Sequence, residues 1–429
     1  MSRSNAAAAL LFRRKGDGST LNLDFTGGSL DSRVTFSRTE ATVKATYINS
    51  SGYSAQVATL GDARFTYDLN TLAAKGLLIE GSASCLLIGS DFAGGTTSPT
   101  YWTYPFGGGT SAAASSSTLG NLDTARAWSQ TATSARPMLS SAAMVLTSGT
   151  TYTASMYVES ISGGLTNQDI LIMNTGSATL GTATYKNNGV TVSASAVATV
   201  GRLETTASCT ATGTMNLRCG IGCASSTTGA INFSRPQVET GTDASSFVPT
   251  TSLAVTRNAD IAIIKTTNFS SWFTGGTKGT FFVDWYGGVR GITSTVRGVI
   301  STDDTATKHL HLQQVSAAGA LRVGDKTPTP TYVTTSNSLT SGARTKGAFS
   351  FAYPESGTTS TVNVSLNGGT VATSSSLAFS VAPTFLVLGA VSTDGSALSD
   401  TTTLLNGSIR QIKYYPTALT SAQLIAMTT

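Results

Sequence analysis

Along most of the chain, apolar residues come in short stretches that alternate with polar ones and stop at Gly, Asn or Ser. Tyr152-Thr153-Ala154-Ser155-Met156-Tyr157-Val158 keeps the period of two expected of a strand with a buried face. The same habit predicts strands at Arg33–Ser37, Ala45–Ile48, Arg64–Tyr67 and Gly76–Glu80. Further along it predicts them at Asp169–Met173, Ala183–Lys186, Met215–Ile221 and Ile231–Phe233. Thr280–Tyr286, Arg297–Ser301, Lys308–Gln313, Phe349–Tyr353, Val362–Leu366, Phe385–Leu388 and Ser408–Tyr415 complete the set. Asn367-Gly368 predicts a type I′ hairpin turn, in which both central residues need positive φ. Helical periodicity surfaces only at the ends. Ala6–Phe12 predicts a short helix or docking arm, and Thr420 with Gln423 has the spacing of a capping box after Pro416 stops a strand.

Composition sharpens this into an all-β reading. Charged residues are 11% of the chain, too few to coat helical surfaces, while Ser and Thr fill 128 of 429 positions and suit strands and turns. The 40% of hydrophobic residues exclude a simple disordered chain. A net charge of +5 is spread thinly, with one dense basic run at Arg13-Arg14-Lys15, so no basic stripe predicts a nucleic-acid partner. No apolar run approaches the roughly 18 residues of a membrane span, so no membrane insertion is expected. Ala6–Phe12 is short and lacks a small-residue cleavage pattern after it, so it is not expected to be an export signal.

The turn signals divide the chain into an N-terminal arm (1–28), a small β docking region (29–88), a jelly-roll sandwich (89–252) and a second β-sandwich (253–429). The strands of 29–88 are short, so this region is expected to pack on another domain or another subunit. Four cysteines make no disulfide scaffold. Cys219 and Cys223 on one strand would lie about 13 Å apart at the usual strand rise, too far for a bridge. With Cys85 and Cys209 they are expected to be buried thiols.

Several motifs, in their order, resemble tailed-bacteriophage fibre and spike proteins. Leu30-Asp31-Ser32-Arg33-Val34-Thr35-Phe36-Ser37-Arg38, Ala45–Ile48, Ala63-Arg64-Phe65 and Gly76-Leu77-Leu78-Ile79-Glu80-Gly81 resemble an N-terminal region of that family. There the glutamate is followed by a link ending Asn-Leu, whereas this chain has Cys85-Leu86. Ser234–Gly241 with Ala244–Thr250 resembles the closing strand of a carbohydrate-binding-module-like jelly roll. Thr256-Arg257-Asn258-Ala259-Asp260, Trp272-Phe273 and Gly279–Val283 resemble the entry to a laminin G or concanavalin A-like domain, and Gly407–Met427 its final strand and helix. The resemblance implies a virion-surface protein assembled in the host cytoplasm. It also implies tail or capsid proteins as partners, a homo-oligomer such as a trimer, and host-surface glycan as ligand.

Chemistry is sparse. His309 and His311 alternate on one strand without a third ligand nearby, Asp303-Asp304 sits in a turn, and no metal or cofactor is expected. Concanavalin A-like hydrolases line several acids along one strand, whereas the matching strand carries only Asp284; there is also no nucleophile elbow, phosphate loop or zinc signature. The expectation is a binding protein, not an enzyme. Sugars stack on aromatic planes, and Tyr101, Trp102 and Tyr104 lie in a loop-like stretch with Trp128 near in sequence. These four are the candidate glycan-binding residues, against the alternative that they are core or subunit contact. Trp272 and Trp285 are expected in the core. A decoration protein that binds no sugar and a capsule depolymerase remain the rival functions.

Overall fold

The computed structural model describes residues 17–40, 45–92, 99–103, 110–113, 127–133, 137–222, 228–274, 276–287, 296–303, 310–315, 320–325, 331–340, 342–352, 360–377, 383–391 and 403–429. Ala6–Phe12, residues 107–109 and 114–117 of a Gly/Ser/Ala-rich stretch, Cys223, Asp304 and His309 lie outside them. The fold is all-β. Four large sheets enclose two separate apolar cores.

The first sandwich is centred on strand Lys278–Tyr286, which turns Phe281, Val283 and Trp285 into the core, each with no exposed surface. Around it run Ala372–Leu377, Ser360–Leu366, Arg344–Ala352, then Lys278–Tyr286 itself, Gly407–Tyr415, Ala74–Ile79 and Phe65–Tyr67. The opposing sheet runs Val34–Ser37, Ile261–Ile264, Phe385–Leu388, Arg297–Asp303, Leu310–Val315, Ala320–Asp325 and Tyr332–Thr334. Behind the first sheet, Phe282, Ala348 and Tyr415 meet Leu419 and Leu424, covered by helix Ser421–Thr428. Thr420 and Gln423 close that helix's first turn as a capping box, and Asn367 and Gly368 both take positive φ, as their sequence requires.

The N-terminal strands are part of this sandwich. Leu21–Asp24 pairs antiparallel with Gly407–Tyr415, sending Leu21 and Leu23 into the common core with Phe25. Ala74–Ile79 pairs with the other end of the same strand. Gly76 sits there at φ 91° against the backbone of Ile409, where a Cβ would collide. Residues 29–88 therefore do not pack as a unit of their own. Val34–Ser37, Phe65–Tyr67 and Ala74–Ile79 extend sheets supplied mostly by residues 261–415, while Thr46–Ile48 and Ser54–Gln56 pair with each other.

The second sandwich is inserted into the first. The chain enters it at Ala83–Cys85 and leaves at Val255–Arg257, and these two segments pair antiparallel. One of its sheets runs Val190–Val192, Thr184–Asn187, Gly201–Ala211, Thr151–Ser162, Thr228–Thr240, Ala127–Thr133 and Thr110–Ala113. The other comprises Met144–Leu146, Gly213–Gly220, Met138–Ser141 and Trp102–Thr103, with Leu171–Thr175 alongside Gly213–Gly220. The stretch expected as a strand from Asp169 begins instead as one helical turn, Asn167–Ile170, because Thr166 and Asp169 bond each other across it.

Where the two sandwiches join, a buried ionic cluster ties three stretches of chain together. Arg64 donates to Glu80 (2.8 Å), to Asp260, to Ser246 (2.6 Å) and to the Thr46 carbonyl (2.9 Å). Arg38 pairs with Asp260 (2.9 Å) and Glu40 (2.7 Å), and Arg257 lies 3.5 Å from Glu80. Three cations thus face three carboxylates, the balance a water-free site needs. Burial works against the Arg64 cation, but Asp260 and Glu80 outweigh it and hold its pKa above the ordinary value.

Candidate functional site

Trp102 and Trp128 are buried and do not offer their rings as a sugar platform. Trp102 is 4% exposed, its ring packs 5.0 Å from Phe92, and its Nε1 donates to the Gly89 carbonyl (2.8 Å). Trp128 has no exposed surface and packs on the same Phe92. Both belong to the core of the inserted sandwich, where their rings pack with Phe92 and Phe233. Tyr101 is 44% exposed at φ 69° and offers its ring to solvent, and Tyr104 lies outside the described residues. Trp272 and Trp285 are core, as expected.

The remaining sequence candidates among the described residues are likewise structural. His311 is buried beneath the ring of Tyr332, at 6.2 Å between centroids. Asp284 is buried and held by Arg344 through a two-pronged pair (3.0 and 2.6 Å). Cys85, Cys209 and Cys219 are buried free thiols. Burial pushes the Cys85 thiol up to about 12 and raises that of Cys219 further. No cluster of three metal-ligating side chains occurs among the described residues.

A cleft of about 270 Å³ opens at the junction of the two sandwiches, directly above the ionic cluster. Its walls come from four distant stretches of chain. Tyr47 and Tyr67, with the turn Asp68–Asn70 and Lys75, form the N-terminal wall; Tyr157, Asn188, Arg202 and Glu204 come from the inserted sandwich; Tyr286 and Asn406 close the third side. Glu80 and Ser246 of the ionic cluster also line it.

Local chemistry fixes these walls. Asp68 accepts from the backbone N–H groups of Asn70 (3.1 Å) and Thr71 (3.0 Å), which holds the turn, and pairs with Lys75 at 2.8 Å. Partial burial would raise the Asp68 carboxyl, but the bonds from Lys75 and Thr71 outweigh it and hold it near 2. The Lys75 ammonium lies 5.4 Å over the Tyr286 ring. Tyr157 and Arg202 face each other across paired strands, with the guanidinium 5.4 Å over the ring and donating to Ser155 (2.9 Å). Burial opposes the Arg202 cation, yet Tyr157, Glu204, Glu239 and Glu80 surround it with negative potential and raise its pKa. Asn188 is fixed at φ 50°, its Oδ1 accepting from the Arg202 N–H (2.8 Å).

Three half-buried rings (Tyr47, Tyr67, Tyr286) and three Asn side chains thus converge with two cations and three carboxylates. Such a surface can stack apolar C–H faces and exchange hydrogen bonds with hydroxyls. Little in the sequence points to it, since each tyrosine stands in an ordinary alternating strand or beside one.

No protein-family model matches the chain, and no curated protein does. Solved structures similar to part of it include the carbohydrate-binding module CBM40 of a Ruminococcus gnavus sialidase bound to α2,3-sialyllactose. That likeness has 16% identity and a TM-score of 0.30, covering 38% of this chain and 90% of that one. A heptameric SAP-like pentraxin from Limulus polyphemus is similar at 12% identity and a TM-score of 0.27, over 36% of this chain and 70% of that one. A leech intramolecular trans-sialidase is similar at 17% identity and a TM-score of 0.29, over 38% of this chain and 25% of that one.

Proposed function

We propose that this is a non-catalytic glycan-binding protein whose ligand lies in the cleft between the sandwiches. The observation that carries the reading is the convergence of Tyr47, Tyr67 and Tyr286 with Asn70, Asn188 and Asn406 around one concave space. Aromatic planes give contact area and orientation at small entropic cost, and amides read hydroxyls in both directions. The cleft's carboxylates are already engaged: Asp68 by Lys75, Glu80 by Arg64, Glu204 by the Ala244 N–H (3.4 Å). That engagement favours binding over hydrolysis, which needs a free acid and a free base or nucleophile. Following the sequence resemblance, we place the protein on a tailed-phage virion, as a tail or head fibre that holds host-surface glycan.

A glycan array with the full chain tests this, together with Tyr67→Ala and Tyr286→Ala. Specific binding that each substitution weakens by about tenfold or more, with melting temperature retained, is the expected result. Absence of any glycan binding favours the decoration protein, and release of reducing ends from capsule favours the depolymerase. Immunolabelling of virions tests the placement separately.

A further inference from the structure

Resting on the glycan-binding reading, we infer that the cleft selects a neutral sugar and turns acidic ones away. The charges around it carry this. Lys75 is committed to Asp68 at 2.8 Å, so that pair presents no net charge. Glu80 belongs to the balanced ionic cluster below the floor, paired with Arg64 at 2.8 Å. This leaves Arg202 and Glu204, two apart on strand Gly201–Ala211 and so on one face of it.

Arg202 is the cleft's remaining cation, but it is not an open anion site. Its guanidinium lies against Tyr157 and donates to Ser155. Behind it stands a further buried acid, Glu239, which accepts from the Ser245 N–H (2.7 Å) and from Gln237 (2.6 Å). Asp243, beside Glu204, is paired with Lys186, so that pair too presents no net charge. A carboxylate entering this space meets acids on the far side of Arg202 and an acid already paired with Lys75, at partly buried sites where water screens poorly. Hydroxyls meet no such opposition. They can donate to Glu204 and the Asn oxygens and accept from Arg202 and Lys75.

Binding of maltotriose and of a galactose-terminated trisaccharide to the full chain, by saturation-transfer NMR and calorimetry, is compared with 3′-sialyllactose and a glucuronic acid trisaccharide. At least one neutral sugar should bind at least about tenfold tighter than either acidic sugar, and raising salt from 50 to 500 mM should narrow the gap. In Glu204→Gln the acidic sugars should gain severalfold relative to the neutral ones. Acidic sugars binding as tightly as neutral ones, or tighter, overturns the inference while leaving glycan binding in place. Failure of all four probes, with no other sugar bound on the array, overturns both readings. The wild-type comparison stands without the variant, so a misfolded Glu204→Gln protein does not obscure the outcome.

Discussion

Arg64 and Asp260, 196 residues apart in sequence, form an ion pair in which neither side chain has any exposed surface. Arg64 lies beside the N-terminal strand Phe65–Tyr67, and Asp260 just precedes strand Ile261–Ile264, past the inserted sandwich. The pair and its neighbours fasten the point where the chain leaves one sandwich and returns to it. Buried ion pairs often add little net stability over an apolar replacement, but losing one partner leaves a charge stranded without water.

Arg64→Ala should therefore destabilise the protein by about 3–5 kcal/mol, since Glu80 and Asp260 lose their shared counter-ion. Arg33→Ala, which breaks a half-exposed pair with Asp31, should cost no more than about 1 kcal/mol. Denaturant melts of both variants give the comparison. Equal losses would remove the cluster as a structural centre.

Most of the segments that carried the sequence resemblance up to residue 260 send a residue to this junction. Arg38, Arg64, Glu80, Arg257 and Asp260 are all members, and Ser246 donates to Glu80 (2.7 Å). The signal was readable as charge set in apolar context, such as Arg64 between Ala63 and Phe65 or Glu80 after Leu77-Leu78-Ile79, in a chain poor in charge. Strands were legible because a period of two survives any topology. The insertion was not, because nothing local reveals that Ala83–Cys85 pairs with Val255–Arg257. Trp102 read as a loop residue because Pro, Gly and Thr surround it, while the Gly89 carbonyl that satisfies its N–H and the Phe92 ring it packs on lie in an earlier segment. The cleft was invisible for the same reason, its walls being assembled from four stretches.

Trp102→Ala and Trp285→Ala should behave alike. Each removes a ring from a filled core and should cost about 3–5 kcal/mol of stability, seen as a clear fall in melting temperature. A Trp102→Ala protein with unchanged melting would contradict the burial of this ring.

Asp243 gives the pH dependence. Burial pushes its carboxyl up to about 6, with Glu204 adding to the rise while Lys186 and Thr242 oppose it. Its pKa in the folded chain lies above the unfolded value near 4, so the folded state holds the proton more tightly. Its contribution to stability is present below pH 4 and is lost as pH rises through 6. Asp243→Asn should flatten that part of the stability curve, and the wild-type carboxyl should titrate near pH 6 by NMR. A midpoint below 4 would mean that the pair with Lys186 outweighs burial.

Cys85, Cys209 and Cys219 should resist alkylation in the folded protein at pH 8 and react fully in denaturant. Burial both blocks access and disfavours the thiolate, the reactive form. Mass spectrometry after brief iodoacetamide treatment reads each site, and rapid native labelling of Cys85 or Cys219 would show that a core opens.

Removing residues 1–28 tests whether the N-terminal strand is structural. Leu21, Leu23 and Phe25 are 0–1% exposed and pack in the same core as Trp272, Ile412 and Tyr414. Burying each is worth about 1.5–3 kcal/mol, and a whole domain is stable by only about 5–15 kcal/mol. The truncated protein would also expose the backbone edge of Gly407–Tyr415 that Leu21–Asp24 covers, an invitation to aggregate. It should melt far below the full chain or fail to stay soluble. In the intact chain, amide exchange at Leu21–Asp24 should be as slow as at Lys278–Tyr286, in a monomer as well as in any oligomer. Fast exchange at Leu21–Asp24 in a monomer would instead mean that this strand waits for a partner subunit before it joins the sheet.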